Sequence, residues 1–269
     1  MRYLKNTKIL VILCTLIVSC KSARSITNVE KVAPARAALE TIEKNLDIYV
    51  LIGQSNMAGR AKIELQDKDT LDGVFLYTGI APKIWEKAAA PLNKYSSIRK
   101  TIELQKFNLG YTFGRDMAKM AKNEIGLVVN AKGGTSIDLW MPNSFFYNEI
   151  VSRTKNALQY GELKGIIWHQ GESDTANYET YLVKLIHLIK ALRSDFGVPN
   201  LPFIAGQLSG DKISRNNFNK MILELPTKIK NTAVVQSDNT STIDGTHFDT
   251  SSQRLLGERY ALKMKKLIK

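Results

Sequence analysis

Cysteine is almost absent from this chain: there are two in 269 residues, Cys14 and Cys20. Both precede Lys21, so the rest of the chain has no thiol. That excludes disulfides, thiolate zinc sites and a cysteine nucleophile from any folded region beyond them. Histidine is scarce too, with only His169, His187 and His247. Candidates for a general base are therefore few. Glycine (17) and proline (7) are modest in number. No Pro/Gly-rich linker, internal repeat or low-complexity tract divides the chain. Lys and Arg exceed Asp and Glu by 13. They are nevertheless scattered through expected helices, and no basic run is interleaved with aromatics. A nucleic-acid partner is thereby excluded, although a basic balance favours acidic partners and anionic surfaces in general.

The only long apolar run is Ile9–Val18, behind the basic residues Arg2, Lys5 and Lys8. It has the length of a secretory h-region and is too short for a comfortable membrane span. It closes on Leu16-Ile17-Val18-Ser19-Cys20, which resembles a bacterial lipobox. Residues 1–20 are therefore expected to be a lipoprotein signal peptide, with Cys20 as the lipidated residue. Residues 21–45 are expected to be a tether and short amino-terminal segment, and residues 46–269 a single domain. The expected location is outside the cytoplasm, anchored in a membrane through the acyl chains on Cys20, since stable anchoring takes more than one chain.

Within the domain, short β-branched runs alternate with helical patterns, which argues a parallel sheet covered on both faces. Five core strands are predicted, at Ile48–Ile52, Gly126–Ala131, Gly165–Trp168, Pro202–Gly206 and Ala233–Gln236, with a further strand at Val74–Tyr77. Helices are predicted at about 111–122, 147–160, 178–196, 214–225 and 251–267. Residues 81–108 read as a long loop insertion over the site. The tip at Trp140-Met141-Pro142 is expected to shape selectivity.

Ligands in such folds bind at the carboxyl ends of the strands. Three strands end in polar clusters: Gly53-Gln54-Ser55-Asn56, Lys132-Gly133-Gly134-Thr135-Ser136 and His169-Gln170-Gly171-Glu172-Ser173-Asp174. A serine hydroxyl needs a base, and the base needs an orienting acid. Of the three histidines, His187 is mid-helix and His169 sits in strand context. His247 follows Asp244 by three residues in a loop, a spacing that lets the carboxylate reach Nδ1 and leaves Nε2 free.

The blocks Gly53-Gln54-Ser55-Asn56-Met57, Gly133-Gly134-Thr135-Ser136 and His169-Gln170-Gly171-Glu172, followed by Asp244-x-x-His247, resemble the SGNH (GDSL-like) hydrolase superfamily. Within it they resemble the carbohydrate acetylesterase branch that includes sialate O-acetylesterases and acetyl xylan esterases. That resemblance implies a flavodoxin-like, three-layer α/β/α sandwich with a central, mostly parallel five-stranded sheet. It implies Ser55 as nucleophile, His247 as general base and acid, and Asp244 as its orienter. It implies an oxyanion hole of the Ser55 N–H, the Gly134 N–H and the Gln170 amide, with Gly133 able to exchange roles with Gly134. Gln54 and Asn56 flank the nucleophile as supporting residues, and Glu172 is expected to hold Gln170 or neighbouring backbone. Gln54 stands where many superfamily members carry Asp, and His-Gln-Gly-Glu replaces Gly-x-Asn-Asp; both departures are shared by the acetylesterase branch. The implied activity is removal of O-acetyl groups from carbohydrates through an acetyl-serine, without metal or cofactor. The competing reading is a surface lipoprotein that binds glycans without cleaving them, which would require a missing catalytic group. A G-x-S-x-G elbow is excluded, since Asn56 and Met57 follow Ser55.

Overall fold

The structure is a computed structural model that describes residues 45–210 and 213–268. The expected signal peptide, Cys20 and nearly all of the tether and short amino-terminal segment lie outside the described residues. Seven strands form one sheet: β1 (Leu46–Gly53), β2 (Val74–Tyr77), β3 (Trp85–Lys87), β4 (Ile125–Ala131), β5 (Gly161–His169), β6 (Phe203–Gly206) and β7 (Thr232–Val235). Their spatial order is β3-β2-β4-β1-β5-β6-β7, and every neighbouring pair is parallel except the antiparallel β2–β3. The five expected core strands are all present. The sheet is larger than expected because Val74–Tyr77 joins it beside β4, and because Trp85–Lys87, inside the supposed loop insertion, pairs with it. A three-residue edge strand has too little alternation to be visible in sequence.

The helices are α1 (Ser55–Ala58), α2 (Gly110–Ala118), α3 (Phe145–Ala157), α4 (Tyr178–Asp195), α5 (Ile213–Ile222), α6 (Leu225–Lys228) and α7 (Thr250–Leu267). Among the described residues, no helix is long and apolar enough to cross a membrane.

Alternation along β1 shows how the layers form. Successive strand residues point to opposite faces. Ile48, Val50 and Ile52 enter one apolar cluster, with Tyr147 and Ile150 of α3, Leu185 and Ile189 of α4, and Phe218 of α5. Tyr49 and Leu51 enter the other, with Phe113 and Met117 of α2 and Leu256, Tyr260 and Met264 of α7. Helices thus cover both faces, as a parallel sheet requires, and the three-layer α/β/α sandwich follows.

The register then places the site. Gly53 at the end of β1 is level with Ala131 on β4 and with His169 on β5. The segments leaving these strands emerge side by side where the chain order switches from one side of β1 to the other, the usual position of a ligand crevice. Gly53 is required there: its φ is +146°, and a Cβ would collide with the His169 carbonyl.

Candidate active site

Ser55 is the first residue of α1, directly after Gly53-Gln54, and is 6% exposed. The Gln54 N–H donates to the His169 carbonyl at 3.0 Å, and the Gln54 carbonyl accepts the Ala58 N–H at 2.8 Å. The nucleophile candidate therefore rides on backbone tied to both the sheet and the first helical turn. The Ser55 N–H has no acceptor among the described residues.

Across the rim lies the loop that follows β7. It is folded back on itself, with an isolated antiparallel bridge between Thr242 and Phe248 and an Ile243 N–H to His247 carbonyl bond of 2.8 Å. This tight reversal brings Asp244 beneath His247. His247 Nδ1 lies 2.6 Å from Asp244 Oδ2, and the other carboxylate oxygen accepts the His247 N–H (2.8 Å) and the Thr246 N–H (3.0 Å). His247 Nε2 lies 2.9 Å from Ser55 Oγ. Partial burial disfavours the ionised Asp244 carboxylate, but the bonds from the His247 ring and from the two backbone N–H groups outweigh it and hold its pKa at about 2. An ionised carboxylate only accepts, so Nδ1 carries the proton, and Nε2 accepts from the Ser55 hydroxyl. The three residues that the spacing singled out are thus in one hydrogen-bonded row.

Asn56 joins the two halves. Its amide donates to the Thr246 carbonyl at 3.2 Å and to Glu172 Oε1 at 2.5 Å, and its oxygen accepts the Phe248 N–H at 3.0 Å. It therefore grips the loop on both sides of His247. Arg215 of α5 grips it from outside, donating to the Gly245 carbonyl and to Thr246 Oγ1. Glu172 thus holds Asn56 rather than Gln170. Burial pushes its carboxyl up toward the protonated form, and among the described residues its second oxygen is buried without a partner.

The turn after β4 is anchored by the Lys132 N–H to Gly53 carbonyl bond of 3.0 Å. Gly134 adopts φ +75° there, which glycine accommodates without strain. The N–H groups of Gly133 and Gly134 have no acceptor among the described residues. Gly133 packs against Ser55, since a Cβ on it would fall 3.2 Å from Ser55 Cβ and 2.6 Å from Arg60 Nη2. Arg60 is fastened by the Gly59 and Leu104 carbonyls. Asp174 stitches this turn to β5 by accepting the Ile137 N–H at 3.1 Å. Burial pushes the Asp174 carboxyl up.

Gln170 departs from the role that the resemblance implied. Its nitrogen faces the Thr135 carbonyl (2.7 Å), Asp174 Oδ2 (2.5 Å) and Gln54 Oε1 (3.1 Å), all protein acceptors. Trp140, expected at a selectivity tip, is buried and donates its indole N–H to Thr135 Oγ1, while Phe145 stands 64% exposed instead. Asp174, Arg215 and Tyr181 complete the site. Asp174 stands in the polar cluster that ends β5, whereas no spacing pattern marks Arg215 and Tyr181, which come from α5 and α4. Among the described residues, no group of three or more His, Cys, Asp or Glu side chains is placed to hold a metal. A hollow of about 560 Å³ lined by Leu71, Gly73, Arg115 and Glu124 lies at the amino end of β4, away from this rim.

Comparison with known proteins finds similarity of sequence and of fold. A family model described as carbohydrate esterase, sialic acid-specific acetylesterase, matches residues 45–266. A probable carbohydrate esterase of Arabidopsis thaliana is 33% identical over 183 residues, which is 58% of this chain and just under two thirds (66%) of that protein. An X-ray structure of a protein from Arabidopsis thaliana matches with a TM-score of 0.74 at 28% identity, covering 82% of this chain and 98% of that one. The crystal structure of a carbohydrate acetylesterase from Xanthomonas citri matches with a TM-score of 0.62 at 20% identity, covering 82% of this chain and 56% of that one. At that identity the likeness is one of fold.

Proposed function

Since the chain belongs to the carbohydrate esterase family of the sialic acid-specific acetylesterases, we propose that it is a serine esterase that removes O-acetyl groups from carbohydrates, either acetylated polysaccharide or sialic acid. The observation that carries this reading is the row Asp244–His247–Ser55, with contacts of 2.6 and 2.9 Å.

Ser55 Oγ attacks the acetyl carbonyl carbon while its proton passes to His247 Nε2. Asp244, ionised down to about pH 2, stabilises the imidazolium and keeps the ring in the useful tautomer. Negative charge gathers on the former carbonyl oxygen and is met by the unpartnered N–H groups of Ser55 and Gly134. One such preorganised donor is worth about 3–4 kcal/mol of barrier when removed singly. The sugar hydroxyl leaves with the proton from His247. Water then hydrolyses the acetyl-serine by the same steps in reverse, with His247 again as base.

Replacing Ser55 by Ala should abolish acetate release from acetylated sugars and p-nitrophenyl acetate. Turnover near the wild-type level would reject Ser55 as nucleophile. The lipobox-like segment supports a second part of the proposal: the enzyme is exported and held to a membrane by acylation of Cys20. Cys20→Ala should then move it from the membrane fraction to the soluble one, and unchanged partitioning would refute the anchor.

A further inference from the structure

We propose that the side-chain donor of the oxyanion hole is the Gln54 amide, and that Gln170 is the positioning residue that aims it. This inference rests on the reading of Ser55 as nucleophile.

Neighbouring groups dictate the orientation of both amides. The Gln170 nitrogen lies 2.7 Å from the Thr135 carbonyl oxygen, which can only accept, so this end must be the NH₂. An NH₂ has two hydrogens, and the Thr135 carbonyl, Asp174 and Gln54 Oε1 already compete for them. None is left for a substrate oxygen. Gln54 Oε1 is fixed as oxygen in the same way, since it faces the Gly171 N–H, which can only donate, at 3.4 Å.

The Gln54 nitrogen is therefore the free end. Among the described residues it has no hydrogen-bond partner. Unlike the unpartnered His169 Nε2, it is not sealed from solvent, even though Gln54 as a whole is 3% exposed. A buried side chain with an unpartnered N–H donor that is still open to solvent, on the residue directly before the nucleophile, is suited to meet charge that appears there. Its backbone is the same short stretch, tied to His169 and Ala58, that positions the Ser55 N–H. No reorganisation is needed at the moment of reaction, which is what makes such donors effective.

The bonds behind Gln54 run in one direction. The Trp168 indole N–H donates to the Tyr181 hydroxyl at 2.9 Å. That hydroxyl donates to Gln170 Oε1 at 2.8 Å, and also lies 3.0 Å from the Gln170 carbonyl. Gln170 Nε2 then donates to Gln54 Oε1 at 3.1 Å. Each acceptance polarises the next donor, so the chain ends in an N–H of enhanced donor strength. In the attack step the carbonyl π pair moves onto oxygen and the serine proton goes to His247. Gln54 lends a hydrogen bond and transfers nothing.

Gln54→Glu keeps the oxygen that Gln170 and Gly171 require and deletes the donor. With p-nitrophenyl acetate its kcat should fall about 100-fold or more, with KM changed by less than about threefold and the circular dichroism spectrum retained. Affinity for a boronic acid that forms a tetrahedral adduct on serine should fall in parallel with kcat/KM, which a merely structural loss would not produce. A kcat within about threefold of wild type overturns the assignment of Gln54 while leaving Ser55 in place. Turnover by Ser55→Ala would instead remove the underlying reading. A crystal structure of the wild-type enzyme with the boronate on Ser55 decides the matter without any variant. Gln54 Nε2 within about 3.2 Å of the boronate oxygen supports the proposal, and any other side-chain donor there, Gln170 included, overturns it.

Discussion

His169 and His247 stand on opposite sides of the same rim and live under opposite rules. His169 ends β5 and is fully buried, with Nδ1 3.1 Å from the Tyr260 hydroxyl. That hydroxyl donates its one proton to the Trp168 carbonyl at 2.8 Å, so it accepts from His169, and Nδ1 carries the hydrogen. Burial alone holds this imidazole down to about 4. His247 sits on a folded-back loop with its side chain 24% exposed, and both of its ring nitrogens face chemically useful partners. The sheet half of the site is built by burial and near-saturation of hydrogen bonds. The loop half is clipped on by a few side chains, chiefly Asn56 and Arg215. Rigidity is thus supplied by buried residues, and the reactivity proposed above falls to a residue that keeps access to water. Activity and stability should therefore separate on the loop side and move together on the sheet side.

The largest test of that contrast is His247→Ala. kcat/KM for acetyl esters should fall at least ~10³-fold, while the melting temperature stays within about 2 °C, measured by acetate release and calorimetry. A large loss of stability would mean that the loop is part of the core after all. Asn56→Ala crosses the boundary between the halves. It strips the Phe248 N–H of its acceptor and leaves the Glu172 carboxyl without its donor, at a cost of about 2–4 kcal/mol. It also frees the loop, so kcat should drop about 10–100-fold. A variant with normal stability and normal kcat would show that the grip on both sides of His247 does nothing.

The third test uses pH. The unfolded chain titrates His169 near 6.5, and the folded chain near 4. Its burial therefore contributes stability in full above about pH 6.5, and that contribution is lost progressively as pH falls from about 6.5 to about 4. The melting temperature should drop by several degrees between pH 7 and 4.5, and His169→Asn should flatten that slope. An equal slope in both proteins would assign the acid sensitivity elsewhere. Asp244, held at about 2, adds nothing to that window. Smallest is the effect of salt. Arg60 beside Gly133 and Lys100, whose Nζ would lie 3.7 Å from a Cβ on Gly134, place two cations beside the turn after β4. Raising ionic strength from 0.02 to about 0.3 M should lower kcat/KM a few-fold for acidic polymers and leave neutral ones unchanged. Equal sensitivity for both would deny the rim any electrostatic preference.

Much of this molecule was legible before folding was considered. The runs around Ile48–Ile52 and Gly126–Ala131 can only be strands buried on both faces. The Asp-x-x-His spacing and the strand-end serine named the residues that the structure brings together. The rest was hidden for specific reasons. Trp85-Glu86-Lys87 is too short to show a period, and pairing alone makes it a strand. Arg215 and Tyr181 belong to no motif with the residues they support, because those partners lie 11 to 31 residues away in sequence. Trp140 looked like a surface aromatic beside Pro142, yet its ring found the core and its N–H found Thr135.

Local sequence, through alternation, glycine and the polarity of strand ends, decided which residues stand at the rim and which types of chemistry are available there. Only the tertiary structure decided which of two glutamine amides is spent and which is free, and which histidine is silent. Those outcomes depend on acceptors and apolar walls that arrive from several separate elements. A donor's availability is set by what surrounds it within hydrogen-bonding distance, and no stretch of chain carries that information by itself.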